Sequence, residues 1–231
     1  MAVHHRILKP MTGIFILDTL GINPLQAVFF LISIIIALTV HEFAHAAVAA
    51  RQGDPTARHA GRVSLNPMRH LDPAGSFLFL FAGIGWGKPV PVNPYQLKDG
   101  KLGDFYVSIA GIISNLVLAF CAALPFMLIR AFGGDIDVQN IFLQFMAMLF
   151  YVNCLLAAFN ILPIPPLDGS KAIGILVPRR WEPAYQRYLQ VGPVLLIGIF
   201  MLSIVFRVNL LGWILDPLIA LFQYVTSASF F

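Results

Sequence analysis

Hydrophobic residues in this chain do not alternate with polar ones; they come in long unbroken runs. Five stand out, at roughly 24–50, 105–131, 138–162, 189–206 and 210–225. A helix crossing a bilayer needs about 20 mostly apolar residues, and each run is near or above that length. The pattern predicts an all-α polytopic membrane protein with about five transmembrane helices. A sixth apolar stretch, 74–87 (AGSFLFLFAGIGWG), is shorter and rich in glycine. It predicts a re-entrant or interfacial β-hairpin segment, because irregular backbone at membrane depth has to be shielded by protein. Residues 1–23 read as an N-terminal interfacial segment. Their apolar run around Ile14 to Leu17 is short and broken by Asp18, so no cleavable signal peptide is expected. Residues 24–231 read as one transmembrane domain, with a core over 24–174 and accessory C-terminal spans over 189–231.

Composition sharpens this picture. Of 231 residues, 58% are hydrophobic and only 11% are charged, whereas a soluble domain carries about 25% charged residues. Mean hydropathy is +0.81. No stretch looks soluble and autonomous, and a net charge of +4 is too modest to point to nucleic acid. Where the cations lie matters more. With five spans, the loops after the first, third and fifth share one side, which holds Arg51, Arg58, Arg62, Lys88, Lys98 and Arg179 among others. The opposite side holds Arg6, Lys9, Arg130 and Arg207. The excess of basic residues makes the first side cytoplasmic, in a multi-pass protein of the cell's inner membrane. Cys121 and Cys154 both fall in apolar runs and read as small buried hydrophobes.

The chemistry sits at the cytoplasmic end of the first run, in His41-Glu42-Phe43-Ala44-His45. Two histidines four apart on a helix share a face, one turn above the other. Neutral imidazoles at that spacing can hold Zn²⁺, and the glutamate beside them can act as general base. Ionisable side chains inside a membrane are costly to bury and mark function. A catalytic zinc takes three protein ligands and leaves one position open, so a third donor is needed. Asp168 and Asp216 lie near span ends. Asp168 follows Pro163, Pro165 and Pro166, which unwind the end of the third run, and precedes Gly169, which permits a tight turn. It is either a ligand turned back toward the histidines or an N-cap for the next helix. Asp216 precedes Pro217 and reads as an N-cap.

HEFAH in one span and NILPIPPLDG (residues 160–169) at the end of a later one resemble the site-2 proteases, the zinc intramembrane metalloproteases. The similarity covers about 24–174 and is to the small branch without PDZ or CBS domains. It implies that His41, His45 and Asp168 bind one Zn²⁺ per chain and that Glu42 activates water. It implies further that Asn160 assists at the substrate or oxyanion. The stretch Trp86-Gly-Lys-Pro-Val-Pro-Val-Asn-Pro94 resembles the family's re-entrant segment, which suggests substrate contacts at Pro91, Val92 and Asn93. In Ala110-Gly-Ile-Ile-Ser-Asn115, Ile112 stands where relatives often carry proline. Asn115 is a candidate substrate contact or a packing residue. Gly111 and Asn115, four apart with Ser108 on the same face, let this helix approach the first closely. His59 and His70 read as loop histidines outside the metal shell.

The implied activity is zinc-dependent hydrolysis of peptide bonds within or near transmembrane helices. Its partners are single-pass membrane-protein substrates and the lipid bilayer, with no nucleic acid; the sequence does not give an oligomeric state. Regulated intramembrane proteolysis and clearance of signal-peptide remnants are both compatible with it. The alternatives are a membrane zinc transporter or sensor, or an inactive scaffold that binds helices. A transporter favours several metal sites along a path, and a scaffold has no use for Glu42.

Overall fold

The computed structural model describes residues 23–82 and 85–206, together with Gly212, Asp216, Pro217 and Ala220. The interfacial segment expected before residue 23 lies outside the described residues, as does most of the run at 210–225. Seven α-helices are described: α1 (Pro24–Arg51), α2 (Thr56–His59), α3 (Pro73–Ala82), α4 (Lys101–Ala131), α5 (Ile141–Asn160), α6 (Asp168–Ala172) and α7 (Glu182–Phe206). Among the described residues, α1, α4 and α5 are long and apolar enough to cross a membrane.

Local chemistry sets the ends of these helices. The Asn23 side chain accepts from the Gln26 amide at 3.2 Å, and Pro24 opens α1 with its φ already fixed. Helix α4 begins after Gly100, whose φ of +53° ends the preceding turn. It starts four residues before the apolar run, because the polar first turn with Lys101 and Asp104 is helical too. Helix α5 starts later than its run: Asn140 caps it by accepting from the Leu143 amide at 3.1 Å. It stops at Asn160, before Pro163.

The three long helices pack on one another through small residues. Ala37, Ala46 and Ala49 of α1, Ala119, Ala122 and Ala123 of α4, and Ala157 and Ala158 of α5 are all buried. Lipid is as apolar as leucine, so membrane helices associate by close packing, which small side chains permit. Phe150 fills the space between them, packed with Ala122, Ala123 and Cys154. Large apolar side chains point outward instead, including Val28, Ile32, Val117, Phe120 and Leu128. Water would penalise such a surface; lipid does not. This is a multi-pass membrane protein in contact with the bilayer.

Between α1 and α4 the chain makes an excursion built on buried polar groups. Helix α3 has ten residues and rises about 15 Å, half the hydrocarbon thickness, so it does not cross. Among the described residues of the expected β-hairpin region, one antiparallel bridge forms, Leu71 to Gly87; Pro89 and Pro91 have no amide to extend a ladder from it. Arg62 supports this turn, donating to the Arg69 and Lys88 carbonyls. His70 is fully buried, and its Nε2 donates to the Ser64 carbonyl at 2.7 Å. It is structural, as a loop histidine should be. Asp54 joins the excursion to the end of α1 by accepting from the Asn93 amide at 2.7 Å and the Thr56 amide at 2.9 Å. Burial pushes the Asp54 carboxyl up, but the bonds from Thr56 and Asn93 outweigh it and hold it below the usual carboxylate range.

Candidate metal centre

Helix α1 runs unbroken through residues 41–45, so His41 and His45 stack one turn apart, with ring centroids 4.6 Å apart and planes at 84°. Their Nε2 atoms lie 3.0 Å from each other. Both are 3.0 Å from Asp168 Oδ2. The three residues are buried and form a group able to hold a metal ion.

Asp168 arrives on α6, which packs against α4. After α5 the prolines forbid further helix, and the chain turns back on itself at Gly169. A Cβ there would lie 2.2 Å from the Ile161 carbonyl oxygen, so only glycine fits the turn. The cap position of α6 is Leu167, without a side-chain bond. Asp168 therefore sits in the first turn of α6 with its carboxylate directed at the histidines.

The other ring nitrogens have partners of their own. His41 Nδ1 lies 2.7 Å from Asn115 Oδ1, and His45 Nδ1 lies 2.6 Å from the Val107 carbonyl. Both are acceptors. The Asn115 amide nitrogen is accounted for separately, donating to the Ala37 carbonyl at 3.2 Å and to Asn153 Oδ1 at 2.9 Å. With a proton on each Nδ1 donated to these acceptors, each Nε2 presents a lone pair. Two bare nitrogens and a carboxylate oxygen at 3.0 Å repel one another unless a cation sits among them. Donors on one tetrahedral zinc, with bonds of about 2.0–2.1 Å, stand roughly 3.3 Å apart. The donor set fits such an ion.

Asn115 is fully buried and stands behind His41, its amide engaged on both sides. This is the packing alternative, with an added role: it orients an imidazole. Asn153, also fully buried, continues the chain by donating to the Leu149 carbonyl at 2.8 Å. The sequence reading passed over Asn153; the signal was an amide side chain in the middle of an apolar span. Asn115→Leu is expected to weaken metal binding about 10–100-fold, as loss of such a support to a ligand histidine usually does. Competition with a chromophoric chelator measures it.

The remaining expected residues are placed as follows. Glu42 is half-buried on α1, and its charge acts on His41 and on the buried Arg62. Asn160 closes α5, donating to the Leu156 carbonyl at 3.0 Å. Pro91 is exposed, while Val92 packs inward against Ala49, Leu97 and Val107. The Asn93 side chain accepts from the Tyr95 amide at 3.1 Å and caps the turn Pro94–Gln96. Cys121 and Cys154 are free thiols; Cys154 is buried as expected, but Cys121 is exposed on the outer surface of α4, not buried.

Comparison with known proteins points to zinc metalloproteases. The family model described as "Peptidase family M50" matches residues 125–205. A Bacillus subtilis (strain 168) protein named "Putative zinc metalloprotease YwhC" is 44% identical over 152 residues, covering 65% of this chain and 69% of the relative. A Mycolicibacterium smegmatis protein named "Putative zinc metalloprotease Rip2" is 33% identical over 162 residues, covering 66% of this chain and 60% of the relative. A Mycobacterium tuberculosis protein of the same name is 32% identical over 146 residues, covering 60% and 53%. No solved structure matches. The chain belongs to peptidase family M50, the site-2 protease family.

Proposed function

We propose that this protein is a zinc metalloprotease that hydrolyses peptide bonds within or next to transmembrane helices. One observation carries the proposal: His41 Nε2, His45 Nε2 and Asp168 Oδ2 converge within 3.0 Å of each other inside an apolar helix bundle. These three residues would hold the zinc. When bound, Zn²⁺ supplies Lewis acidity, which acidifies water and polarises a carbonyl.

The chain's own groups do the rest. Glu42, next to His41 on the same turn, takes the proton of the attacking water on its carboxylate and hands it to the departing amine nitrogen. Asn115 and the Val107 carbonyl hold both imidazoles with Nε2 forward. Asn160, at the lip of the unwound segment, offers its amide to the developing oxyanion. Residues 89–93 are neither helix nor strand; Val92 packs against Ala49 of α1 while Pro91 is exposed, leaving a surface along which an unwound substrate strand can lie.

The substrate is a single-pass membrane protein. Its peptide groups are locked in helical hydrogen bonds, so cleavage requires local unwinding, and helix-breaking residues near the scissile bond favour it. About five spans, with the site toward the cytoplasm, remain the topology that the basic loops support.

Reconstitution in liposomes with single-pass substrates tests the reading. Cleavage is expected to stop on removal of metal with a chelator and to return with added Zn²⁺. Undiminished cleavage by protein shown to be metal-free would overturn it.

A further inference from the structure

The last described helix holds the loop that carries Asp168. The segment leading into α6, residues 161–167, carries Pro163, Pro165 and Pro166, which bring no amide donors. Its carbonyls need partners, since an unpaired carbonyl in an apolar setting is costly. Two come from α7. Tyr185 Oη donates to the Ser170 carbonyl at 2.9 Å, with the Lys171 carbonyl at 3.3 Å. Tyr188 Oη donates to the Pro163 carbonyl. These carbonyls bracket Asp168, five residues before it and two after it.

The contact is a continuous stripe of one helix face. Tyr185, Tyr188 and Gly192 follow the i, i+3, i+7 spacing that brings side chains to one side. The two phenol rings lie 6.2 Å apart, tilted by 31°. At Gly192 the backbone itself meets the loop: a Cβ there would lie 2.1 Å from Pro165 Cβ. Gly174 makes the reciprocal allowance, since a Cβ there would lie 2.6 Å from Tyr185 Oη. The start of α7 is tied back to α4, where Lys101 Nζ reaches Glu182 Oε2 at 2.6 Å and the Val177 carbonyl at 3.0 Å.

We propose that Tyr185 and Tyr188 are positioning residues for the metal site: their hydroxyls clamp the two arms of the Asp168 loop and so fix the carboxylate against His41 and His45. The proposal rests on the metal-site reading above. Neither phenol touches substrate or metal; both act through the backbone that presents Asp168. It gives α7 a function distinct from membrane anchoring.

The test is the double variant Tyr185→Phe/Tyr188→Phe, which removes two hydroxyls and keeps both rings. Zinc affinity is read by chelator competition, and ligand geometry by the visible spectrum of Co²⁺-substituted protein. The affinity of the double variant is expected to fall about 10-fold, at the low end for groups that orient a metal ligand. Its Co²⁺ bands are expected to shift, while thermal unfolding of the metal-free proteins stays matched. Tyr95→Phe, at a residue 98% exposed, is the control and should equal wild type. Equal affinity and an unchanged Co²⁺ spectrum in the double variant would overturn the clamp alone. Wild-type protein that takes up no stoichiometric zinc would overturn the metal site and the clamp with it. If the double variant does not fold, Tyr185→Phe alone, which frees only the Ser170 arm, is expected to show the same spectral shift in smaller measure; an unshifted spectrum overturns the clamp.

Discussion

Glu42→Gln is expected to cut peptide cleavage by about 10²–10⁴-fold, the usual worth of a positioned general base, while zinc per chain stays at the wild-type level. The two halves of this expectation come from different parts of the structure. The three converging donors belong to His41, His45 and Asp168, so a change at residue 42 leaves the donor set complete. Glutamine keeps the length and planarity of the side chain but cannot accept and release a proton near neutral pH. Cleavage of a reconstituted single-pass substrate, with zinc measured on the same preparation, reads both halves. A variant that keeps zinc but loses cleavage separates a protease from a zinc carrier or a helix-binding scaffold, neither of which needs the base. A variant that cleaves at the wild-type rate would remove Glu42 from the mechanism.

Much of this site was legible in the sequence because helices translate spacing into geometry. The four-position step from His41 to His45 becomes one turn, whatever surrounds it. The prolines at 163, 165 and 166 announce that the chain leaves the helix before Asp168, and Gly169 announces the turn. The sequence could not say how far the turn would carry the carboxylate. The answer depends on the close approach of Gly169 to the Ile161 carbonyl and on what lies behind the loop. Long apolar runs located α1, α4 and α5 to within a few residues, with the errors at polar ends that the apolar pattern does not see.

The illegible parts are tertiary. Asn153, Asn115 and His41 sit on three different helices, and only packing makes them a chain. Tyr185 and Tyr188 precede the apolar run at 189–206, and their hydroxyls find carbonyls 15 and 25 residues away in sequence. At 74–87, shortness and glycine argue against a span, but nothing local distinguishes a hairpin from the helix α3 described over Pro73–Ala82. Buried ionisable groups in loops, such as Arg62 and Asp54, are chosen by the backbone groups they must satisfy, and those are known only once the chain is folded.

The other large effect is expected at Gly111. A Cβ built there lies 2.4 Å from His45 Nε2 and 2.5 Å from His41 Cε1, far inside van der Waals contact. Neither ring can step aside freely, because each is tethered through Nδ1, to Asn115 and to the Val107 carbonyl, on the same helix α4 that carries residue 111. Gly111→Ala therefore forces α4 away from α1 or breaks those tethers, and either outcome parts the donors. Zinc occupancy is expected to fall at least 10–100-fold, and cleavage with it, at a stability cost of about 1–3 kcal/mol for overpacking. Gly198→Ala is the matched control: that glycine has nothing within 4 Å of its Cβ position, so the same methyl group should leave zinc binding unchanged. Zinc content and thermal unfolding of the two variants, measured side by side, distinguish a lost metal site from a general intolerance of alanine. Gly111→Ala protein with full zinc and full cleavage would mean that the close approach of α4 to the histidines is not what holds the site together.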